Sequence, residues 1–249
     1  MRRRVGLAII ITLSVLALIV IIEILFIKYN GTYVPTPNIP RQTQTLGSGP
    51  ELSYVVLGDS TSVGQGADYK NSYAQVSAQH LSKKYKVTFN NVGVSGARVK
   101  DLFLDQVAKA ITYKPDIVLI GVGANDTTHF TSGGEIQKWM QKTVDDLKIA
   151  NPDIKIVVTR SPALDSVTRF PVGAKQLMGL RTKQVNSAFA KVIKKNDLTL
   201  APIAEKTRDA FIADPTLTAA DKFHPNDRGY VLWYPVINDA LDLALNGVE

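Results

Sequence analysis

Cysteine is absent from the 249 residues of this sequence. Its absence excludes disulfide bonds, iron–sulfur clusters, thiolate metal sites and a cysteine nucleophile. Histidine is scarce, with three residues in the whole chain. The sequence also lacks an H-E-x-x-H zinc motif and a glycine-rich loop of the P-loop type. A catalytic histidine, if there is one, therefore has three candidates.

A strong excess of one charge is missing from most of the chain. The formal net charge is +7, but residues 1–50 contribute +4 of it, and the other 199 residues carry 24 basic and 21 acidic groups. No cluster of Lys and Arg is accompanied by a known nucleic-acid-binding motif. We therefore expect no nucleic-acid partner.

One long hydrophobic run is present, and it lies at the N-terminus. Eighteen consecutive positions without a charge extend from Val5 to Ile22, directly after three arginines at positions 2–4. As a helix the run is about 27 Å long, close to the ~30 Å hydrocarbon core of a bilayer. The arginines predict that the N-terminus is cytoplasmic and that everything after Lys28 lies outside.

These features divide the chain into three parts. Residues 1–28 are interpreted as a cytoplasmic arginine cluster and a single transmembrane anchor. A cleaved signal peptide is the alternative, although Phe26–Tyr29 offers no small-residue cleavage site. Residues 29–50 contain four prolines and no apolar periodicity, which predicts an extended linker. Residues 51–249 are expected to form the folded domain.

Short apolar runs alternate with helical patterns from residue 51 onward. Apolar runs that end in glycine or polar residues predict buried strands, and apolar residues three and four apart predict helices. Five strands separated by helices predict a parallel sheet covered on both faces, a three-layer α/β/α sandwich. The predicted strands are Ser53–Gly58, Lys86–Val92, Asp116–Gly121, Ile154–Thr159 and Leu198–Pro202. The predicted helices are Ser72–Tyr85, Arg98–Thr112, Gly134–Ala150, Ala174–Lys195 and Asp227–Asn246.

Polar segments follow the first three predicted strands, and a fourth precedes the last helix. In such sheets, ligands bind at the carboxyl ends of the strands. The four segments are therefore expected to gather along one edge of the sheet. They are GDSTS at 58–62, GVSGA at 93–97, GVGAND at 121–126 and DKFHPN at 221–226.

Serine and histidine in these segments point to nucleophilic catalysis. The hydroxyl of Ser60 is a weak nucleophile until a neighbouring base accepts its proton. His80 falls in a predicted helix, where a surface position is expected, and His129 has no acid at an obvious orienting distance. His224 follows Asp221 by three residues in a short loop. That carboxylate can accept the imidazole Nδ1–H, as in a serine triad.

A tetrahedral intermediate also needs hydrogen-bond donors aimed at its oxyanion. The candidates are the backbone N–H groups of Ser60 and Gly96 and the side-chain amide of Asn125. The neighbouring carboxylates, Asp59 and Asp126, are interpreted as groups that hold loops by hydrogen bonding.

The four segments, in this order and spacing, resemble the blocks of the SGNH hydrolases, also called the GDSL esterase/lipase family. The matching blocks are GDS at 58–60, NVGVSG at 91–96, GAND at 123–126 and DKFHPN at 221–226. The resemblance implies a flavodoxin-like α/β/α sandwich, hydrolysis of esters, and no metal or cofactor. It covers residues 53–230, nearly all of the predicted domain.

Carried over by position, the resemblance assigns a role to each candidate. Ser60 would be the nucleophile, with Asp221 and His224 as the acid and base of the triad. The oxyanion hole would consist of Ser60, Gly96 and Asn125. Gly93 lies in the same block as Gly96 and is an alternative. We favour Gly96 because the family's glycine usually follows a serine.

Several alternatives remain open at this stage. The expected substrates are acyl esters of lipids or O-acetyl groups of cell-wall glycans, at the surface of a Gram-positive bacterium. An acyltransferase could use the same triad, and a surface binding protein could use the same fold without turnover. The segment 160–173 is either a lid over the site or an ordinary surface loop. The sequence does not indicate the acyl length, the leaving group or the oligomeric state.

Overall fold

The computed structural model describes residues 2–40 and 42–246, with side chains described from Ile9 onward. It begins with one helix, α1 (Arg2–Tyr29), which is 28 residues long. Within it, Ile9–Tyr29 is long and apolar enough to cross a membrane, judged by length and composition, and this span is not buried. Such a helix is typical of a membrane anchor and also of a signal sequence.

A six-stranded sheet forms the centre of the domain, with strand order β1-β3-β2-β4-β5-β6. Strands β2 to β6 run parallel, which confirms the predicted parallel α/β sheet. They comprise β2 (Glu51–Gly58), β3 (Lys86–Asn91), β4 (Ile117–Gly121), β5 (Lys155–Val158) and β6 (Thr199–Leu200).

The sheet has one strand more than the five predicted. The additional strand, β1 (Gln44–Leu46), pairs antiparallel with β3 at the edge of the sheet. It lies inside the segment 29–50, which was predicted to be a linker. Its three residues show no alternation of apolar and polar side chains. The strand therefore forms because it pairs with β3, about 40 residues later in the chain. The local propensity of its three residues does not predict a strand.

Helices cover both faces of the sheet, which confirms the three-layer sandwich. Val55 and Leu57 of β2 face one apolar layer, and Tyr54 and Val56 face the other. The first layer is covered by α3 (Val99–Leu102), α4 (Ala108–Thr112), α6 (Gly133–Ala150) and α7 (Val172–Asn196). The second is covered by α2 (Tyr73–Leu81), α8 (Ile203–Ala213), α9 (Asp227–Val231) and α10 (Trp233–Asn246).

Three helical features differ from the predictions. The predicted closing helix is divided at Leu232 into α9 and α10, because Pro235 has no N–H to donate to the carbonyl one turn earlier. The helix α8 and the short helix α5 (Ala124–Thr128) were not predicted. Between α3 and α4, Phe103–Val107 forms a π-helical turn, a feature that is frequent near functional sites.

Candidate active site

The first polar segment forms a tight turn at the end of β2. The N–H of Gln65 donates to the carbonyl of Ser60 at 2.9 Å, and the N–H of Ser62 donates to the carbonyl of Asp59 at 3.1 Å. A Cβ on Gly58 would lie 2.5 Å from the carbonyl oxygen of Gly121 on β4. Glycine is therefore required where these two strands end side by side. The turn presents Ser60 at the carboxyl edge of the sheet.

A hydrogen-bonded chain joins Ser60, His224 and Asp221. The Oγ of Ser60 lies 2.9 Å from His224 Nε2, and His224 Nδ1 lies 2.6 Å from Asp221 Oδ2. All three residues are buried to more than nine-tenths. The structure thus brings together the three side chains that were predicted to form a triad, although Ser60 and His224 are 164 residues apart in sequence.

The loop 221–226, here called the catalytic loop, is fixed by its own hydrogen bonds. The second carboxylate oxygen of Asp221 accepts the backbone N–H groups of Phe223 and His224, both at 3.0 Å. Lys222 between them has a φ of 58°, in the left-handed region. The three-residue spacing therefore lets Asp221 close the turn with one oxygen and orient the histidine ring with the other.

Electrostatics keep Asp221 ionised. Burial alone raises its pKa, but the hydrogen bond and the charge of His224, together with the two backbone N–H groups, lower the pKa below its usual value. An ionised acceptor requires a proton on Nδ1 of His224. Nε2 is then free to accept the hydroxyl proton of Ser60, which is the arrangement that activates a serine nucleophile.

The candidate oxyanion donors lie on the neighbouring loops. Within residues 2–40 and 42–246, no intramolecular acceptor is found for the backbone N–H of Ser60 or of Gly96. The side-chain amide of Asn125 donates one hydrogen to the carbonyl of Ala97 at 3.2 Å and retains a second hydrogen. That bond ties the Asn125 helix to the loop that carries Gly96.

The two glycines of this loop have different environments. The N–H of Gly93 donates to Asn91 Oδ1 at 3.0 Å, and a Cβ on Gly93 would overlap the hydroxyl of Ser62. Gly96 has a φ of 86°, and a Cβ there would meet nothing within 4 Å. Gly93 is thus required by close packing. Gly96 supplies an unusual backbone conformation with a free N–H, which favours it over Gly93 as the oxyanion donor.

Gln106 supports the site and was missed at the level of sequence. Its side chain is completely buried in the π-helical turn. Its amide donates to the carbonyl of Gly58 and its oxygen accepts the N–H of Gly58, both at 2.9 Å. This pair of hydrogen bonds fixes the backbone of Gly58, two residues before Ser60. A glutamine on the apolar face formed by Val99 and Leu102 was the signal that could have revealed it.

Two buried carboxylates hold the loops, as predicted. Asp59 Oδ1 accepts the N–H of Thr61 at 2.9 Å and its hydroxyl at 2.8 Å. Burial raises the pKa of Asp59 to about 6 despite these bonds. Asp126 Oδ2 accepts the N–H of Val99 at 3.0 Å, and burial raises its pKa as well.

The other two histidines lie outside the triad. His80 Nε2 contacts Asp242 Oδ2 at 2.9 Å on the surface of α2 and α10. His129 is exposed, and its Nδ1 contacts the carbonyl of Asn125 at 2.9 Å. Throughout the part of the chain that the structure describes, no group of three or more His, Asp or Glu could hold a metal ion.

A groove of about 620 Å³ is lined in part by Asp221 and His224. Its walls come from the end of α1 and the residues after it, from the segment 160–173 and from the catalytic loop. In the segment 160–173, Leu164, Val167 and Phe170 are buried against Ala124 and Met178, so this part of the chain forms a packed wall. The polar or aromatic residues lining the groove include Tyr33, Gln65, Thr128, Phe170, Phe223 and His224.

Comparison with known proteins identifies relatives of this architecture. The model of the GDSL-like lipase/acylhydrolase family matches residues 56–232. No curated protein matches the chain. Among solved structures, an extracellular lipase from Streptomyces rimosus is similar with a TM-score of 0.62 and 19% identity, over 76% of this chain and 99% of that one.

Two further structures are similar to a comparable degree. The lipase/acylhydrolase from Enterococcus faecalis has a TM-score of 0.63 and 18% identity, over 78% of this chain and 95% of its own. A mutant acetyl-xylooligosaccharide esterase from Geobacillus Stearmophilus has a TM-score of 0.61 and 18% identity, over 83% and 98%. At these identities the similarity establishes the fold.

Proposed function

This chain belongs to the GDSL-like lipase/acylhydrolase family, and we propose that it is an extracytoplasmic serine esterase with Ser60, His224 and Asp221 as its triad. Membership of the family makes it an ester-hydrolysing enzyme. One observation carries the assignment of residues, namely the unbroken chain of hydrogen bonds from Ser60 through His224 to Asp221.

Acylation begins when Ser60 Oγ attacks the ester carbonyl carbon. As the new C–O bond forms, the hydroxyl proton moves to His224 Nε2, and ionised Asp221 stabilises the resulting imidazolium. The tetrahedral intermediate then collapses and the ester C–O bond breaks. His224 gives its proton to the departing alcohol, which leaves the acyl group on Ser60.

The oxyanion is held by three donors in this proposal. They are the backbone N–H groups of Ser60 and Gly96 and the second amide hydrogen of Asn125. Preorganised donors of this kind contribute about 3–4 kcal/mol each to the transition state. Two observations support this set. The backbone N–H groups of Ser60 and Gly96 have no acceptor among the described residues, so they can donate to an oxyanion. The bond from Asn125 to Ala97 holds the Asn125 side chain next to the loop that carries Gly96.

Deacylation repeats the same steps with a second nucleophile. A water molecule loses one proton to His224 Nε2 and attacks the acyl carbon. The bond from that carbon to Ser60 Oγ then breaks, His224 returns the proton to Ser60 Oγ, and the carboxylic acid leaves. An alcohol in place of water would transfer the acyl group, so an acyltransferase differs only in the acceptor. Acyl esters of lipids and O-acetyl groups of wall glycans both fit this chemistry, and α1 supports a position at the outer face of the membrane.

A covalent probe tests the proposal on the full chain in detergent. A fluorophosphonate should label wild-type protein at Ser60 and abolish hydrolysis of a short nitrophenyl ester. Ser60→Ala should lose both labelling and turnover. Ser82→Ala is the matched control, because Ser82 lies at the surface end of α2 and its hydroxyl donates to the carbonyl of Gln79. Wild-type activity in folded Ser60→Ala would contradict the assignment, and binding without labelling would favour a non-catalytic protein.

A further inference from the structure

The chain immediately after α1 is bound to the catalytic loop. We call residues 30–36 the juxtamembrane strap. The N–H of Asn30 continues the helix by donating to Phe26 at 2.7 Å, and the N–H of Thr32 donates to the carbonyl of Ala220 at 2.9 Å. Gly31 approaches so closely that a Cβ on it would lie 2.5 Å from the carbonyl oxygen of Asp221. The helix thus ends two residues before the glycine that packs against Asp221.

Asn30 is the centre of this attachment. Its side-chain amide donates to the carbonyl of Thr168 at 2.6 Å, and its side-chain oxygen accepts Lys222 Nζ at 2.7 Å. Its backbone carbonyl accepts the guanidinium of Arg169 at 2.6 Å, and the same guanidinium reaches the carbonyl of Asp221 at 3.4 Å. Asn30 therefore joins the helix to both the catalytic loop and the wall formed by 160–173.

The far end of the strap reaches the nucleophile's turn. Gln65 donates through Nε2 to the carbonyl of Val34 at 3.0 Å and accepts the hydroxyl of Thr36 at 3.3 Å. The backbone N–H of Gln65 bonds to the carbonyl of Ser60. The strap consequently runs along the groove from the acid of the triad to its serine, and it forms part of the groove's wall.

The last turns of α1 are held as well. Glu23 accepts the backbone N–H of Gly173 at 3.1 Å, and Ile27 packs beside Phe170 and Met178. Glu23 and Ile27 are four residues apart, about 6 Å along the helix. These contacts fix the direction of α1 relative to the groove. Only two residues separate Ile27 from Asn30, so the helix and the strap are joined by a short connection.

The surface around this attachment suits the boundary of a bilayer. Val172 and Leu180 in the first half of α7 are 76% and 60% exposed, and Tyr33 on the strap is 80% exposed. Aromatic residues are enriched at membrane interfaces, and exposed apolar side chains can enter the lipid. The headgroup layer is about 5–7 Å thick on each side of the hydrocarbon core. A site attached directly to the helix end lies within or just above that layer.

We propose that the juxtamembrane strap holds the active site at the headgroup level of the outer leaflet, and that the substrate is an acyl ester of a lipid in that leaflet. This inference rests on the proposed esterase function and on α1 as an uncleaved anchor. The ester carbonyls of membrane lipids lie at the depth that the strap defines. A wall glycan further from the bilayer would require a long, free linker, which the bonded strap does not provide.

The test uses the full chain reconstituted into phosphatidylglycerol/phosphatidylcholine vesicles. Fatty acid release from the vesicle lipids and hydrolysis of a soluble nitrophenyl ester are measured on the same sample. A 12-residue Gly-Ser insertion between Tyr29 and Asn30 breaks the bond from Asn30 to Phe26 and separates the anchor from the strap. It leaves the strap residues that bond the catalytic loop and Gln65 unchanged. We expect lipid hydrolysis to fall at least tenfold and soluble ester hydrolysis to stay within twofold of wild type.

The matched control places the same insertion between Ser48 and Gly49, in the exposed connection from β1 to β2 at the opposite edge of the sheet. It should leave both rates unchanged. Equal lipid hydrolysis with the insertion after Tyr29 would overturn the role of the strap. Soluble ester cleavage without fatty acid release by wild type would overturn the lipid substrate and leave the esterase standing. Loss of both activities in wild type would instead overturn the proposed function itself.

Discussion

Two segments hold Asp221 and His224, the proposed acid and base, and they do so by different means. The catalytic loop is fixed locally, because Asp221 bonds the backbone of the two residues that complete the turn. The juxtamembrane strap is fixed at long range, through bonds from Asn30 to residues 138 and 192 positions away. The turn of the loop is closed by bonds among its own residues, whereas the bonds of the strap run to distant parts of the domain.

The difference indicates that the two segments have separate roles. The catalytic loop sets the geometry and charge that the chemistry requires, and any change in it acts on the reacting atoms. The strap sets where the site is and what borders it, so changes there should act mainly on which substrate is reached. Three perturbations separate these roles, and their expected effects differ by several kcal/mol.

The largest effect is expected from Asp221→Asn in the catalytic loop. The amide oxygen can still accept the backbone N–H groups, so the turn survives. The ring of His224 loses its ionised partner, and the wrong tautomer then faces Ser60. We expect kcat to fall about 10⁴-fold with the midpoint of thermal unfolding within a few degrees of wild type.

The control for this variant is Asp214→Asn, which changes an exposed carboxylate that bonds Thr216 and Arg228. It should keep wild-type turnover of a short soluble ester. An Asp221→Asn protein with more than a tenth of wild-type kcat would show that the loop supplies shape alone, and the contrast with the strap would disappear.

A second, intermediate effect concerns pH and the carboxylate on the nucleophile's turn. Burial raises the pKa of Asp59 to about 6 from 3.8, so the folded state binds its proton more tightly than the unfolded state does. Its contribution to stability is present below the unfolded pKa and is lost as the pH rises towards 6. A shift of this size corresponds to roughly 2–3 kcal/mol.

Asp221 has the opposite pH dependence. Its pKa is lowered, so it contributes stability above pH ~4, and this contribution is lost as the pH falls.

Asp59→Asn should therefore stabilise the protein at pH 7–8 by about 2 kcal/mol and have little effect near pH 4. Urea unfolding at several pH values measures the difference. The amide oxygen can still accept both bonds from Thr61. Asp68→Asn, at an exposed carboxylate just after the same turn, is the control and should show no such trend. A gain that is independent of pH would contradict the role of burial.

The same contrast between local and distant contacts explains what the sequence could predict. Ser60 could be predicted as a candidate because it follows a recognisable strand, and parallel strands bring such segments to one edge of the sheet. His224 was a candidate because it lies in a short polar segment just before the last helix. Asp221 and His224 are three residues apart, so their pairing follows from the chain itself. The central parallel strands were the easiest to recognise because each contains a continuous apolar run, such as Tyr54–Leu57 in β2 and Ile117–Ile120 in β4.

Other features depended on distant partners and could not be inferred. The strand β1 exists because it pairs with β3, and its three residues carry no signal of their own. Asn30 stands among prolines and polar residues that are typical of a linker, and its bonds to Thr168 and Lys222 follow only from the folded domain. Gln106 bonds the backbone of Gly58, 48 residues earlier in the chain. This contact could not be inferred, although a glutamine on an apolar helix face is unusual.

The smallest effect is expected from Asn30→Ala in the strap. The variant removes the bonds to Thr168 and Lys222 but leaves the backbone carbonyl that Arg169 contacts. Each lost bond is worth about 1 kcal/mol, and the catalytic loop retains its own bonds. We therefore expect kcat/KM for a soluble ester to fall only about three- to tenfold, with a larger loss on vesicle lipid. Asn38→Ala, an exposed asparagine eight residues later, should change neither rate. If Asn30→Ala instead reduced soluble turnover as far as Asp221→Asn, the strap would belong to the catalytic machinery, and the two segments would no longer differ in kind.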